Sequence, residues 1–155
     1  FATRWVPGGS LPTAQQWDKA AGRWVRGQEG PYQGKWAELR KGTGKIAIDR
    51  KPLPVNDDQP IEEGMGPLKV GQAEADISPF GTHDMSGNGL EWTRNTSEGF
   101  YRGGELPAST SVKMRGRYFT AETPLRFADV EKGFVPSLFG MDPVDEVGFR
   151  VVIEP

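Results

Sequence analysis

The strongest pattern of apolar and polar positions lies in the first thirty residues. Trp17, Ala20, Ala21 and Trp24 fall at i, i+3, i+4 and i+7, which places them on one helical face. Thr13 stands where an N-cap belongs, and Gln16 three residues later completes a capping-box pattern. Gly22 offers a C-terminal stop. The spacing predicts a helix over about Ala14 to Ala21. Upstream, Phe1, Trp5 and Val6 look like the tail of an amphipathic helix, closed by Pro7-Gly8-Gly9. Further along, Val112 to Phe119 alternates apolar and basic residues, a strand pattern broken at Gly116. Val147 to Ile153 is dense in β-branched and aromatic residues and reads as one strand long enough to be central. Pro67 to Gly71 resembles a short strand, and Phe100 to Gly104 a strand ending in a glycine turn. Leu125 to Val135 fits no single period.

Between Val25 and Met65 glycines and prolines interrupt every run. Trp36, Leu39, Ile46 and Ile48 are the core contributors expected there. Lys51 to Gly66 reads as a surface loop, with Asp57, Asp58, Glu62 and Glu63 as a solvated face. The full chain has 155 residues, 21 glycines and 13 prolines, with 35% hydrophobic residues. That balance suits one loop-rich domain, and five tryptophans can supply the buried area that aliphatic residues do not.

Charge and residue inventory remove several chemistries. There is no cysteine, so disulfides, thiolate metal sites and cysteine nucleophiles are excluded. His83 is the single histidine, which excludes a zinc site of several histidines. Net charge is −2 with scattered basic residues, which argues against a nucleic-acid surface. The three basic residues of Val112 to Phe119 read as a solvated face or as partners for the domain's own acids. No apolar run approaches the ~20 residues of a membrane span, and Phe1 does not open a signal peptide. The compartment stays open.

Candidate chemistry concentrates in Ser78 to Asn95. Pro79 and Gly81 flank Phe80, which reads as an apolar anchor between two backbone breakers. Gly87 and Gly89 flank Asn88, a spacing for a backbone that turns sharply or approaches something closely. Glu91 then stands among Leu90, Trp92 and Thr93, and Asp84 precedes it across the glycine turn. Two carboxylates and free turn carbonyls are a plausible set for a hard cation. The alternative is a tight turn with Trp92 in the core and both acids solvated.

Four ordered blocks carry a family resemblance: L-P-T-A-Q-Q-W-D-K-A-A-G at 11–22, P-F-G-T-H-D-M-S-G-N-G-L-E-W-T-R at 79–94, R-G-G at 102–104 and V-G-F-R-V-V at 147–152. The chain resembles the formylglycine-generating enzyme (sulfatase-modifying factor) family. The resemblance implies an α+β, C-type-lectin-like fold with few helices and short, mostly antiparallel strands joined by long loops. Family domains are usually longer, so residues 1–155 are expected to form the C-terminal part of such a domain, the missing N-terminal segment being one of its partners. The resemblance also implies a structural Ca²⁺, held by the side chains of Asp84 and Glu91 and the carbonyls of Gly87 and Gly89. A second family calcium site has no match in residues 49–66. The family's enzymes bind copper through a cysteine pair after R-G-G. Those positions fall near Ala108 and Lys113, and Glu105 stands where the family has a serine. No copper is expected, because neither residue can act as a thiolate. Relatives that use iron hold it with several histidines, and this chain has one.

The expected function is a non-catalytic, lectin-fold module that binds a protein or small molecule, within a larger signalling or enzyme-associated bacterial protein. The G-N-G-L-E-W-T-R and S-P-F-G details most resemble copies of the domain in large bacterial proteins, some of them attached to Ser/Thr kinase domains. The alternative is a formylglycine-generating-type oxidoreductase or related oxygenase with an unconventional metal site built from His83, Asp and Glu. Sugar binding has no specific residue behind it.

Overall fold

The computed structural model describes residues 6–32, 70, 71, 73, 76–97, 99–101, 110–117, 124–131, 137–139 and 147–153. The expectations for Phe1 to Trp5, Trp36 to Ile48, the 51–66 loop and the R-G-G block lie outside these residues.

The helix α1 spans Ala14–Ala21, as its pattern requires. Thr13 is extended, and its Oγ1 accepts the Gln16 N–H at 3.1 Å while the Gln16 side chain accepts the Thr13 N–H at 2.8 Å. This reciprocal cap satisfies two donors that the helix itself cannot. At the other end Gly22 is left-handed, φ +87°, and a Cβ there would come within 2.8 Å of the Pro79 ring. Glycine is therefore needed twice over, for the conformation and for the close approach of the central loop. Gly22 also turns the chain before the fourth apolar position is reached. Trp24 is 63% exposed and lies outside the helical face on which its spacing placed it.

Among the described residues, nine short elements follow one another. They are β1 (Gly9–Ser10), α1, β2 (Gly89–Thr96), β3 (Gly99–Phe100), β4 (Ser111–Arg117), α2 (Phe127–Glu131), β5 (Ser137–Phe139), β6 (Val147–Phe149) and β7 (Val152–Ile153). The strand β2 organises the main sheet. It pairs antiparallel with β4 along one edge, and its other edge is divided between β6, parallel at Leu90 to Trp92, and β3, antiparallel at Asn95 and Thr96. β5 continues the sheet beyond β4. β1 and β7 form a separate antiparallel pair.

Three strand expectations change. Gly116 does not break β4. It stays in the ladder opposite Leu90 with φ +83°, and any Cβ there would meet the Gly89 carbonyl oxygen at 2.6 Å. Val147 to Ile153 is not one central strand. It divides at Arg150 and Val151, because its first half follows β2 and its second half pairs with β1. Val70 and Gly71 form a turn rather than the end of a strand.

The core cluster consists of Trp17 and Ala21 of α1, Met85 from the central turn, and Leu125, Phe127 and Val130 around α2. Backbone bonds carry the same packing. The Leu125 N–H reaches the Ser86 carbonyl, Phe127 reaches Glu29, and Arg94 of β2 reaches Pro12 at the foot of α1. Asn95 Oδ1 accepts the Ala14 N–H at 2.7 Å, which fixes the start of α1 against β2. α1 thus lies across β2 and presents Trp17 and Asp18 to the sheet.

Candidate cation-binding turn

The segment from Asp76 to Glu91 forms a closed loop. A bridge between Ile77 and His83 closes it at one level. Within it, the Ser78 N–H bonds to the Thr82 carbonyl, and Ser78 Oγ accepts the N–H groups of Phe80 and Thr82. Phe80 is 63% exposed, so it is not the apolar anchor its setting suggested. Pro79 has that role instead, against Gly22 at the end of α1.

Asp76 is the hub of this loop. Its carbonyl accepts the Asp84 N–H at 2.9 Å, and its carboxylate accepts the Met85 N–H at 3.2 Å and the Ser86 N–H at 2.9 Å. One buried residue therefore ties down three consecutive amides, one through its carbonyl and two through its carboxyl. Burial pushes its pKa up to about 6, with the Asp84 charge adding to the rise and the Ser86 and Met85 bonds opposing it.

Asp84 and Glu91 are both buried, at 6% and 9% exposure, which overturns the alternative of two solvated acids. Trp92 is only half-buried. Asp84 adopts a left-handed φ of +57° and Asn88 one of +64°, conformations unusual outside glycine. Asp84 Oδ2 accepts the Gly71 N–H at 2.6 Å. Its Oδ1 is buried with no hydrogen-bond partner among the described residues, and so is Ser86 Oγ. Gly87 and Gly89 are buried in the same turn.

Glu91 Oε2 receives two donors, Trp17 Nε1 and Arg150 Nε, each at 2.6 Å. Arg150 Nη2 also donates to the Asp84 carbonyl at 2.9 Å. A single guanidinium therefore spans both residues of the expected cation pair. Burial raises the Glu91 pKa above the usual carboxylate value; the Arg150 charge and bond and the Trp17 bond lower it, and the Asp84 charge adds to the rise.

Among the described residues no three His, Asp or Glu side chains are grouped to hold a metal. A cation here would depend on the Asp84 and Glu91 carboxylates together with turn carbonyls. Oxygen-only donors suit Ca²⁺, and the buried, unpartnered Asp84 Oδ1 is an acceptor waiting for a positive group. The donor set therefore fits the ion. His83 is half-buried, and its Nδ1 has no partner among the described residues.

A second set of charges anchors α1 beside this turn. Asp18 Oδ1 accepts from Arg115 Nε at 2.7 Å, and its Oδ2 accepts from Arg23 Nη1 at 2.6 Å. Arg117 pairs with Asp129 at 3.2 Å. Two of the three basic residues of β4 thus serve the domain's own acids, while Lys113 is exposed. Residue spacing did not disclose Arg150, Trp17 or Asp76 as members of the site. The available signal was a charge inside an apolar run: Arg150 in V-G-F-R-V-V, and Asp76 in A-D-I.

Neither a curated protein nor a solved structure matches the chain. A family model for the sulfatase-modifying factor enzyme 1-like domain matches residues 3–155. The few helices and short, mostly antiparallel strands agree with the C-type-lectin-like α+β fold of that family. With nearly its whole length matched, the chain belongs to the sulfatase-modifying factor enzyme 1-like, or formylglycine-generating enzyme, domain family.

Proposed function

We propose that this chain is a non-catalytic member of its family, a binding module whose central turn is held by a structural Ca²⁺. The observation that carries the first half is the complete absence of cysteine. Oxygen activation on Cu(I) by the family's route needs soft thiolate ligands, and no residue of this chain can provide one. The nearest positions hold Ala108 and Lys113, and Lys113 is an exposed residue of β4. A single histidine leaves too few imidazoles for the iron alternative. The module would act within a larger protein by presenting its loops to a protein or small-molecule ligand.

Support for the calcium half comes from the turn itself. Asp84 Oδ1 is buried without a partner, and Glu91 keeps one carboxylate oxygen beyond the Trp17 and Arg150 bonds. The ion would supply positive charge to buried carboxylates and gather the carbonyls of Gly87 and Gly89. Its role would be structural.

The test of the first half is an incubation with a sulfatase-type cysteine peptide, Cu(I) and reductant, read by mass spectrometry. No formylglycine above a metal-only blank is expected. Turnover above that blank overturns the binding-module reading.

A further inference from the structure

We propose that Arg150 is a resident cation that lowers the calcium affinity of the Asp84–Glu91 turn. This rests on the calcium reading above and goes beyond it, because it names the residue that sets how tightly the ion is held.

The geometry is specific. Arg150 Nε sits 2.6 Å from Glu91 Oε2, and Nη2 sits 2.9 Å from the Asp84 carbonyl oxygen. The same guanidinium therefore touches both residues that would supply carboxylates to the ion. Trp17 Nε1 takes the remaining place on Glu91 Oε2, so that oxygen already has two donors. Arg150 lies against two residues that carry buried carboxylates, Asp84 and Glu91. With both carboxylates ionised, the set carries one net negative charge with the guanidinium and two without it, the amount that one divalent ion neutralises. A positive charge this close to a second cation is repulsive, and the repulsion is stronger in a partly buried site than in water.

A purely positioning role has the opposite consequence. If Arg150 mattered only by orienting Glu91 and the Asp84 carbonyl, its removal would loosen the ligands and weaken binding. The sign of the change separates the two, and misfolding cannot produce a gain in affinity.

The experiment is a calcium titration by calorimetry at fixed pH and ionic strength on the full chain, with wild type, Arg150→Gln and Arg150→Lys. Arg150→Gln should bind Ca²⁺ at least about tenfold tighter. Arg150→Lys keeps the charge but loses the fork that spans Glu91 and the Asp84 carbonyl, so it should show no such gain. Equal or weaker binding by Arg150→Gln overturns the inference, as does binding about tenfold or more tighter by Arg150→Lys, which keeps the positive charge. The lysine variant keeps the inference open to refutation even where the glutamine variant does not fold. No binding by any of the three overturns the calcium reading itself. Binding by wild type with unchanged affinity in Arg150→Gln overturns this inference alone, and binding by Arg150→Gln alone supports it.

Discussion

Replacing Asp18 by alanine tests how α1 is held on the sheet. Asp18 is buried and bonds Arg115 through Nε at 2.7 Å and Nη2 at 3.3 Å, and Arg23 at 2.6 Å. The Asp18 side chain is 3% exposed, that of Arg115 10% and that of Arg23 21%. Removing the carboxylate leaves the Arg115 guanidinium buried, with the Met114 carbonyl at 3.2 Å as its remaining acceptor among the described residues. Breaking a buried pair from one side costs about 3–5 kcal/mol, because the survivor is an uncompensated buried charge. The more exposed Arg23 adds little. Against a total stability of roughly 5–15 kcal/mol, this is a large fraction. For a chain of this size it corresponds to a Tm lower by about 6–20 °C. Urea unfolding is the suitable assay, since an ionic denaturant would screen the pair. The double variant Asp18→Leu/Arg115→Met should recover much of the loss, because two apolar groups replace two charges. A loss under about 1 kcal/mol for Asp18→Ala, or a double variant no more stable than the single, would refute the argument.

Two further outcomes follow from the central turn. EGTA should lower Tm and Ca²⁺ should restore it better than Mg²⁺, with stabilisation of about 2.7 kcal/mol at a hundredfold excess over Kd. Glu91→Gln should remove most of that difference, and an unchanged wild-type Tm in EGTA and millimolar Ca²⁺ would sink the site. The second concerns pH without calcium. The Asp76 pKa rises on folding from 3.8 to about 6, so folding takes up a proton between those values. Its stabilising contribution is therefore full below about pH 4 and is lost as pH rises through 6, a change of about 3 kcal/mol. In urea unfolding with EGTA, wild type should gain on Asp76→Asn by this order as pH falls from 7 to 4. A flat or opposite difference would contradict the assignment.

Local signals in the sequence were read well where the partners were local. The helix from Ala14 to Ala21 needed only Thr13, Gln16, Gly22 and the spacing of Trp17 and Ala21. The glycine turn between Asp84 and Glu91 was legible for the same reason, and the unusual φ values of Asp84 and Asn88 bear out a sharply turned backbone there. What spacing could not convey was pairing across long separations. Arg150 meets Glu91 across 59 residues, and Arg115 meets Asp18 across 97. The apolar run from Val147 to Ile153 has the composition of one strand, yet its two halves answer to different neighbours. Helical spacing places Trp24 on the apolar face and the flanking Pro79 and Gly81 mark Phe80 as an anchor, yet both side chains are exposed, and the close contact between Gly22 and Pro79 takes the place expected of Phe80.

The short pair formed by β1 and β7 has a mechanical consequence. Gly9 lies opposite Ile153 and Ser10 opposite Val152, antiparallel. The chain therefore approaches Gly9 and leaves Ile153 at the same end of the ladder. Tension applied through these two points opens the ladder like a zipper, one rung after another, instead of shearing all rungs together. With two residue pairs, this clasp yields first. The load then reaches Arg150, two residues before β7, whose guanidinium grips the central turn. A pull along the backbone is thereby delivered to the Asp84–Glu91 turn before it reaches the interior of the main sheet.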